Sequence, residues 1–235
     1  MKLFNRTDLA YDNIKNPLKL YKENDISVYA INKKENNHLI EFNFLNIYLK
    51  DILKKELLFF LNRIKKKKSF LIIGLGNNNY TSDSIGPKVI KNINVNAHLI
   101  KLGATFTNQV YAIEPGIYGQ TGIETFTIIS SIVKEINPDV LIIIDSFITN
   151  NIHNLEKSII ISNEGITPGS GISTINTKIT KKKIGKPIIV IGVPTALEIT
   201  IKKQNLIVSS KSIDKYIINL SQIIAESLNE ILYSS

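Results

Sequence analysis

Two aspartates, Asp83 and Asp145, stand where the sequence could support acid–base chemistry. Asp83 is the one acidic residue of the stretch GLGNNNYTSDSIGP, residues 74–87, and Asp145 directly follows an uninterrupted apolar run, residues 140–144. Two carboxylates that lie close together cannot both ionise easily, so one keeps a proton and polarises a carbonyl while the other activates water. The pair therefore predicts carboxylate-dependent hydrolysis. Each aspartate taken alone is also compatible with capping a following helix.

The glycines of the same stretch raise the question of a nucleotide-binding loop. A dinucleotide fingerprint needs Gly-x-Gly-x-x-Gly at the start of a helix, whereas Gly74 and Gly76 are followed by Asn79 at the third glycine position. The sequence also lacks the Gly-Lys-Ser or Gly-Lys-Thr of a phosphate-binding loop. These glycines by themselves indicate only a tight exit from a strand.

Other catalytic and metal-binding chemistries have little support in the residue types. The chain has no cysteine, and His38, His98 and His153 do not share the spacing of metal ligands. The serines are not accompanied by a Gly-x-Ser-x-Gly elbow or a plausible histidine base. We therefore predict no metal and no cofactor, and we interpret each histidine as a surface or packing residue.

The charge of the chain leaves several partner classes open. Its net charge is +9, from 29 Lys and Arg against 20 Asp and Glu, which would suit nucleic acid, an anionic membrane or an acidic polypeptide. The lysine runs at residues 65–68 and 181–183 are typical of solvated ends of helices and loops, and no nucleic-acid-binding motif accompanies them. The N-terminus has no signal-peptide core, and no apolar run reaches the roughly 18 residues of a membrane span. We predict a cytoplasmic protein with no membrane partner and no direct nucleic-acid partner.

The apolar pattern predicts an α/β fold. Continuous apolar runs are typical of strands covered on both faces, and helical spacing predicts amphipathic helices between them. The predicted strands are residues 26–32, 38–44, 70–73, 140–144 and 188–191, and the predicted helices are residues 45–64, 122–136 and 212–232. This alternation predicts a doubly wound sandwich, in which chemistry lies outside the carboxyl ends of the strands. Both aspartates are predicted on loops that leave those ends.

Three further segments are unusually rich in glycine or proline. They read PGIYGQTGIET (115–125), NEGITPGSGI (163–172) and IGVPTALEI (191–199). Loops on a rigid scaffold are where sites are commonly built. Together with the loop after residue 73, they supply the candidate site-lining residues, which are Gly76, Asn77, Gly116, Tyr118, Thr121, Glu124, Gly169, Ser170, Pro194 and Thr195.

Taken in order, these motifs resemble one known family. GLGNNNYTSDSIGPKV, PGIYGQTGIET, NEGITPGSGI and IGVPT look like the germination protease of spore-forming bacteria, and the resemblance runs from residues 6–10 to the final helix. It implies a three-layer α/β sandwich with a mostly parallel or mixed central sheet, similar to hydrogenase-maturation endopeptidases. It also implies that the two essential aspartates are Asp83 and Asp145.

The resemblance carries expectations about activity. It implies a cytoplasmic endopeptidase of the forespore or spore core that hydrolyses small acid-soluble spore proteins on the carboxyl side of glutamate, uses no cofactor and forms a homo-oligomer, a tetramer in the family. It implies a zymogen, here with a short pro-segment at residues 1–8, cleavage between Asp8 and Leu9, and a single peptidase domain at residues 9–235. Acidic substrates would give the net charge of +9 a purpose.

The chain departs from the family pattern at two places. Relatives carry a further stretch between the GVPT segment and the final helix, and the residues after Asp145 read Ser-Phe-Ile-Thr-Asn where the family has Ala-Leu-Ala-Ser-Arg. Two alternative functions stay open at this point. One is a catalytically inactive relative whose basic face binds spore proteins or DNA, and the other is a metallopeptidase of the hydrogenase-maturation type.

Overall fold

A mixed β-sheet forms the centre of the protein. The computed structural model describes residues 17–31, 35–169 and 177–233. The strands are β1 Leu18–Glu23, β2 Ile26–Ala30, β3 Asn37–Glu41, β4 Ser69–Gly74, β5 Gln109–Ile113, β6 Val140–Thr149, β7 Ser158–Ser162, β8 Ile188–Ile201 and β9 Gln204–Val208. Within the described residues they form one nine-stranded sheet in the order β1-β2-β3-β7-β8-β6-β4-β5, with β9 paired to the end of β8.

Parallel and antiparallel pairing divide this sheet into two halves. Strands β5, β4, β6 and β8 are parallel, and β7, β3, β2 and β1 continue the sheet as antiparallel neighbours. The parallel half carries the continuous apolar runs because both of its faces are covered by helices. Ile72 and Ile142 pack into one core, whereas Leu71 and Ile143 pack into the other.

Helices cover both faces and complete three layers. They are α1 Leu49–Asn62, α2 Ile85–Lys91, α3 Ala97–Lys101, α4 Tyr118–Thr121, α5 Thr125–Ile136, α6 Lys181–Ile184 and α7 Ile213–Tyr233, with a 3₁₀ turn at Thr81–Asp83. Helices α1, α2 and α7 pack together on one face, and α5 packs on the other. The predicted three-layer α/β sandwich with a mixed central sheet is confirmed. No helix among the described residues is both long and apolar enough to cross a membrane.

The element boundaries correct the sequence-based predictions where strands continue. Strands β6 and β8 begin as predicted, but β6 extends to Thr149 because it goes on pairing with β8 as far as Leu197. Strand β8 extends further, to Ile201, because it pairs there with β9. The predicted loops after residues 144 and 191 are therefore wrong. The helix predicted from residue 122 begins at Thr125, since α4 is a separate short turn that ends at Gly122, where φ is 66°.

Candidate active site

A gap opens in the sheet where β4 ends beside β6. Gly74, the last residue of β4, is level with Ile144, and Leu75 donates its N–H to the Ile144 carbonyl at 2.8 Å. Beyond this point β6 continues to Thr149, paired on its other side with β8. The space that β4 leaves beside Asp145 is filled by the loop that runs from β4 to α2.

Asp145 lies within β6 and not on a loop. Its side chain is 5 % exposed, and its Oδ1 accepts a hydrogen bond from the N–H of Ser146 at 2.9 Å. In a strand, the N–H and C=O of one residue point to the same side, and successive residues alternate. The N–H of Ser146 therefore points to the side of the Ile144 carbonyl, which is the side of the gap. This hydrogen bond draws the Asp145 carboxylate toward the gap.

The loop that fills the gap is closed around Asp83. The N–H of Asn77 donates to the Asp83 carbonyl at 2.8 Å, which ties the two ends of the loop together. Gly76 has a φ of 118°, and a Cβ at this position would lie 2.1 Å from the Asp83 carbonyl oxygen and 3.1 Å from Oδ1. A side chain at position 76 would thus displace Asp83. The sequence pattern indicated only a tight strand exit at these glycines. In the structure, Gly76 leaves room for Asp83 and so holds its carboxylate in place.

Ser146 connects the two aspartates. Its hydroxyl donates to Oδ1 of Asp83 at 2.8 Å, while its N–H donates to Asp145. Both carboxylates therefore lie within one hydrogen bond of the same residue. Ser146 was not predicted as a site residue, and its position directly after Asp145 is the one signal in the sequence that marks it.

The electrostatic environment of Asp83 favours its protonated form. Burial raises the pKa of the Asp83 carboxyl above its usual range, although the hydrogen bonds from Ser146 and from the N–H of Asn77 act in the opposite direction. Desolvation disfavours a charged carboxylate, whereas donors aimed at it favour the charge. Asp145 also accepts an N–H donor, from Ser146. Hydrogen-bond donors thus reach both carboxyls, and burial opposes the ionisation of Asp83.

Thr195 anchors the segment before Asp83 to the sheet. It is 1 % exposed, and its hydroxyl donates to the Ser82 carbonyl at 2.5 Å. The hydroxyl of Ser209 in turn donates to the Thr195 carbonyl at 3.1 Å. Pro194 and Thr195 are strand residues of β8 beside the site. Pro194 pairs with Phe147 of β6, and the register shifts before Ala196 pairs with Ile148, so Thr195 lies at a bulge. Of the two, Thr195 contacts the residue next to Asp83.

The loop between β5 and α5 reaches the site through Gln120. Its Nε2 donates to Oδ1 of Asn77 at 2.9 Å, so this loop supports the loop that holds Asp83. The hydroxyl of Thr121 donates to carbonyls within its own turn. Tyr118 is 55 % exposed, and a Cβ on Gly116 would lie 3.1 Å from the Thr121 side chain. Gly116 and Thr121 therefore contribute to the conformation of this loop.

The carboxylate of Glu124 is engaged by Thr177. It accepts a hydrogen bond from the N–H of Thr177 at 2.7 Å, and hydrogen bonds from Thr177 lower the pKa of its carboxyl. Gly169 lies at the end of a described segment with a φ of 63°. The predicted site residue Ser170 and the predicted cleavage position at Asp8 and Leu9 lie outside the described residues.

The histidines show no sign of a metal centre. His38 is buried and its Nδ1 contacts Glu56, with Phe59 and Phe60 against its ring. His153 lies on the exposed loop between β6 and β7. Over residues 17–31, 35–169 and 177–233, no group of three or more His, Asp or Glu side chains is placed to hold a metal ion. Independence from metals stays a prediction.

Comparison with known sequences identifies relatives of the chain. A sequence model described as germination protease matches residues 43–203. The germination protease of Geobacillus sp. (strain WCH70) is 38% identical over 183 residues, covering 72% of this chain and 49% of that protein. The germination protease of Bacillus cytotoxicus is 41% identical over 153 residues, covering 63% of this chain and 42% of that protein. The chain thus spans about half the length of the curated relatives it matches.

Comparison with solved structures gives a distant match. It is the nickel–iron hydrogenase maturation protease HycI from Thermococcus kodakarensis KOD1, with a TM-score of 0.44 and 21% sequence identity, covering 72% of this chain and 97% of that chain. At this degree of likeness, the fold assignment rests on the sheet order and the three layers described above.

Proposed function

The chain belongs to the germination protease family, and from this premise we propose that it is an endopeptidase that hydrolyses peptide bonds with Asp83, Asp145 and one water molecule. The observation that best supports the proposal is the contact of both carboxylates with Ser146 beside the gap at the end of β4. Chemistry in parallel α/β sheets takes place outside the carboxyl ends of the strands, and this gap lies at such an end.

The proposed mechanism divides the work between the two carboxyl groups. The ionised Asp145 takes a proton from a water molecule bound beside the two carboxyls as the water oxygen attacks the carbonyl carbon of the substrate. The protonated Asp83 donates a hydrogen bond to the carbonyl oxygen, on which negative charge develops. The C–N bond then breaks as Asp145 passes the proton that it took from water to the leaving nitrogen. The water hydroxyl ends in the new carboxyl group and the second water proton in the new amine.

Ser146 should set the pH range of this reaction. Replacing Ser146 by alanine removes a donor that favours the ionised form of Asp83, so the pKa of Asp83 rises further. A hydrogen bond to a charged group contributes about 1.5 kcal/mol, which corresponds to about one pH unit. Because the mechanism needs Asp83 protonated, the alkaline limb of kcat against pH should move upward by about that amount. The measurement is a pH–rate profile of the parent and of Ser146→Ala.

A matched variant separates this effect from a change in packing. Ser146→Thr keeps the hydroxyl and should leave the alkaline limb close to that of the parent. An alkaline limb of Ser146→Ala that moves to lower pH would contradict the assignment of the proton to Asp83.

The proposed substrates are small acid-soluble spore proteins, cut on the carboxyl side of glutamate. Support comes from the family membership and from the net charge of +9, which attracts acidic segments. We further propose synthesis as a zymogen that is trimmed between Asp8 and Leu9, action in the spore core and assembly into a homo-oligomer. These points follow from the family resemblance.

A cleavage assay tests the proposed function. The purified protein is incubated with a small acid-soluble spore protein, and the fragments are identified by mass. We expect a few internal cuts, each after a glutamate, and no cuts in a parallel reaction with the Asp145→Asn form, which controls for contaminating proteases. Cleavage should continue in EDTA. Loss of cleavage in EDTA with recovery in zinc would favour a metallopeptidase, and intact substrate bound in a strongly salt-dependent manner would favour a basic binding module.

A further inference from the structure

The 3₁₀ turn that carries Asp83 is short and only partly buried. We call residues 81–83 the Asp83 turn. Its own hydrogen bonds join the N–H of Asp83 to the Tyr80 carbonyl at 2.9 Å and the N–H of Ser84 to the Thr81 carbonyl at 3.1 Å. Hydrogen bonds of 3₁₀ helices have poor geometry, and such turns are seldom longer than three or four residues. The position of the Asp83 turn therefore depends on contacts from the rest of the protein.

Thr195 holds the Asp83 turn from the side of the sheet. The pairing register of β8 with β6 shifts at Thr195, which leaves this residue in a bulge. Bulges are common next to active sites, where they redirect a side chain or interrupt strand pairing. Thr195 is buried, and its hydroxyl donates to the Ser82 carbonyl at 2.5 Å. A buried donor of the sheet thus fixes the middle residue of the turn.

Asp214 holds the same turn from the side of the helices. It lies in the first turn of α7, where the helix dipole favours a carboxylate. Its Oδ1 accepts a hydrogen bond from the Thr81 hydroxyl at 2.9 Å. Ile213 and Ile217 are buried in the core on either side of it in the sequence, so the start of α7 is anchored. An anchored acceptor therefore meets the first residue of the turn.

The two supports are also connected to each other. Ser209 follows β9, and its hydroxyl donates to the Thr195 carbonyl at 3.1 Å. The next residue, Ser210, accepts a hydrogen bond at its carbonyl from the N–H of Ile213, the first residue of α7, at 3.3 Å. The bulge and the start of α7 are thus linked through a short segment that lies beside the Asp83 turn.

We propose that Thr195 and Asp214 are positioning residues that hold the Asp83 carboxyl against Ser146. They fix the two residues that directly precede Asp83, one from each side. The Ser146 hydroxyl reaches Asp83 Oδ1 across 2.8 Å, so a small displacement of the turn would break this hydrogen bond. The inference rests on the proposed function and assigns neither residue a contact with substrate.

Displacement of the turn has a signature that a general loss of stability lacks. The Ser146 hydroxyl lowers the pKa of the Asp83 carboxyl, against the effect of burial, so a turn that moves away from Ser146 has a higher Asp83 pKa. The proposed mechanism needs Asp83 protonated, and the alkaline limb of kcat against pH should therefore move upward. In a Ser146→Ala background the donor is already absent, and the same displacement should leave the limb in place.

Isosteric variants of Thr195 test the support from the sheet. Thr195→Val removes the hydroxyl and keeps the shape of the side chain, whereas Thr195→Ser keeps the hydroxyl. With a short peptide substrate, we expect Thr195→Val to lower kcat about tenfold and to leave KM within about twofold of the parent, since a misplacement of about 1 Å can cost 10²-fold in rate. Its alkaline limb should move upward, except in the Ser146→Ala background. Thr195→Ser should recover most of kcat.

A second pair of variants tests the support from α7. Asp214→Ala removes the acceptor of the Thr81 hydroxyl, and Asp214→Asn keeps an acceptor oxygen. We expect Asp214→Ala to lower kcat less than Thr195→Val does, because the exposed Thr81 hydroxyl can bind water instead, and Asp214→Asn to recover the loss. Asp51→Ala is the matched control, since Asp51 also lies in the first turn of a helix, α1. This control should keep the kcat of the parent.

Ser227→Ala separates positioning from stability. Ser227 is buried and its hydroxyl donates to the Ile223 carbonyl at 2.7 Å, about 20 Å along α7 from Asp214. It should lower Tm without lowering kcat. Equal losses of kcat in Thr195→Val and Thr195→Ser, or a Thr195→Val protein with the kcat and alkaline limb of the parent, would overturn the inference. If Thr195→Val does not fold, equal kcat values for Asp214→Ala and the parent would overturn it.

Hydrogen exchange keeps this test separate from the proposed function. If the parent cleaves no peptide, the proposed function fails, and the Asp83 turn can still be followed by amide exchange in a fragment that spans residues 77–84. Faster exchange in Thr195→Val and Asp214→Ala, with the exchange of the parent in Thr195→Ser and Asp51→Ala, would support the two residues as holders of the turn. The same exchange in all forms would reject that role.

Discussion

Replacing Asp145 by asparagine is expected to lower kcat by at least about a thousandfold, since general acid–base catalysis by a positioned group typically contributes 10²–10⁴-fold. Asparagine keeps the size of the side chain but cannot accept the proton of the attacking water. The carboxylate is nearly buried and is held by the N–H of Ser146. The measurement is kcat with a short peptide substrate. Turnover of Asp145→Asn within tenfold of the parent would reject the mechanism.

Asp83→Asn should show a comparable loss of activity together with unchanged or higher thermal stability. Burial raises the pKa of Asp83 in the folded protein, so the folded state binds this proton more tightly than the unfolded state does. The contribution of Asp83 to stability is thus fully present below its unfolded pKa and is lost as pH rises through the folded pKa. At neutral pH, Asp83→Asn removes the free-energy cost of burying a carboxyl group whose ionisation the folded state disfavours.

Thermal melts at several pH values check the stability of Asp83→Asn. The difference in Tm between Asp83→Asn and the parent should be larger at pH 7 than at pH 4, with the variant favoured at pH 7. A variant that melts well below the parent at pH 7 would show that Asp83 stabilises the fold in its charged form. Loss of activity in that variant would then say little about catalysis.

Gly86→Ala is expected to destabilise the protein by about 3 kcal/mol, the upper end of the usual cost of overpacking. A Cβ at this position would lie 2.2 Å from the Leu75 carbonyl oxygen, and one at Gly74 would lie 2.3 Å from the Gly86 carbonyl oxygen. Helix α2 therefore rests backbone to backbone against the end of β4. Rotation of a side chain cannot relieve this contact, so α2 or the Asp83 loop must move.

A fall of about 10 °C in Tm would correspond to that loss in a chain of this size, and kcat should fall with it because Asp83 lies immediately before α2. Gly119→Ala is the matched control, since a Cβ at Gly119 meets nothing within 4 Å. The control should melt within about 2 °C of the parent. A Gly86→Ala protein with the Tm and kcat of the parent would show that the close approach of α2 does not position Asp83.

The pattern of apolar residues was sufficient to predict the central strands. Burial on both faces requires continuous runs of Ile, Leu and Val, and residues 70–73, 140–144 and 188–191 have them. The long amphipathic helices α1, α5 and α7 were predicted from apolar residues at helical spacing, because each buries one face. Strands β1, β5, β7 and β9 were missed. The edge strand β1 is largely exposed and carries a mixed pattern, LKLYKE, so no sustained apolar periodicity marks it.

The sequence by itself determined the three-layer sandwich and drew attention to Asp83 and Asp145, because the periodicity of burial and the type of an ionisable side chain are local properties. Only the tertiary structure decided that β6 and β8 continue past the predicted loops, since strand continuation depends on a partner from a distant part of the chain. It also decided that Ser146 contacts both aspartates and that Thr195 supports Ser82. A hydroxyl acquires such a role only when another segment brings an acceptor within hydrogen-bonding distance, and the spacing of residues along the chain does not encode that distance.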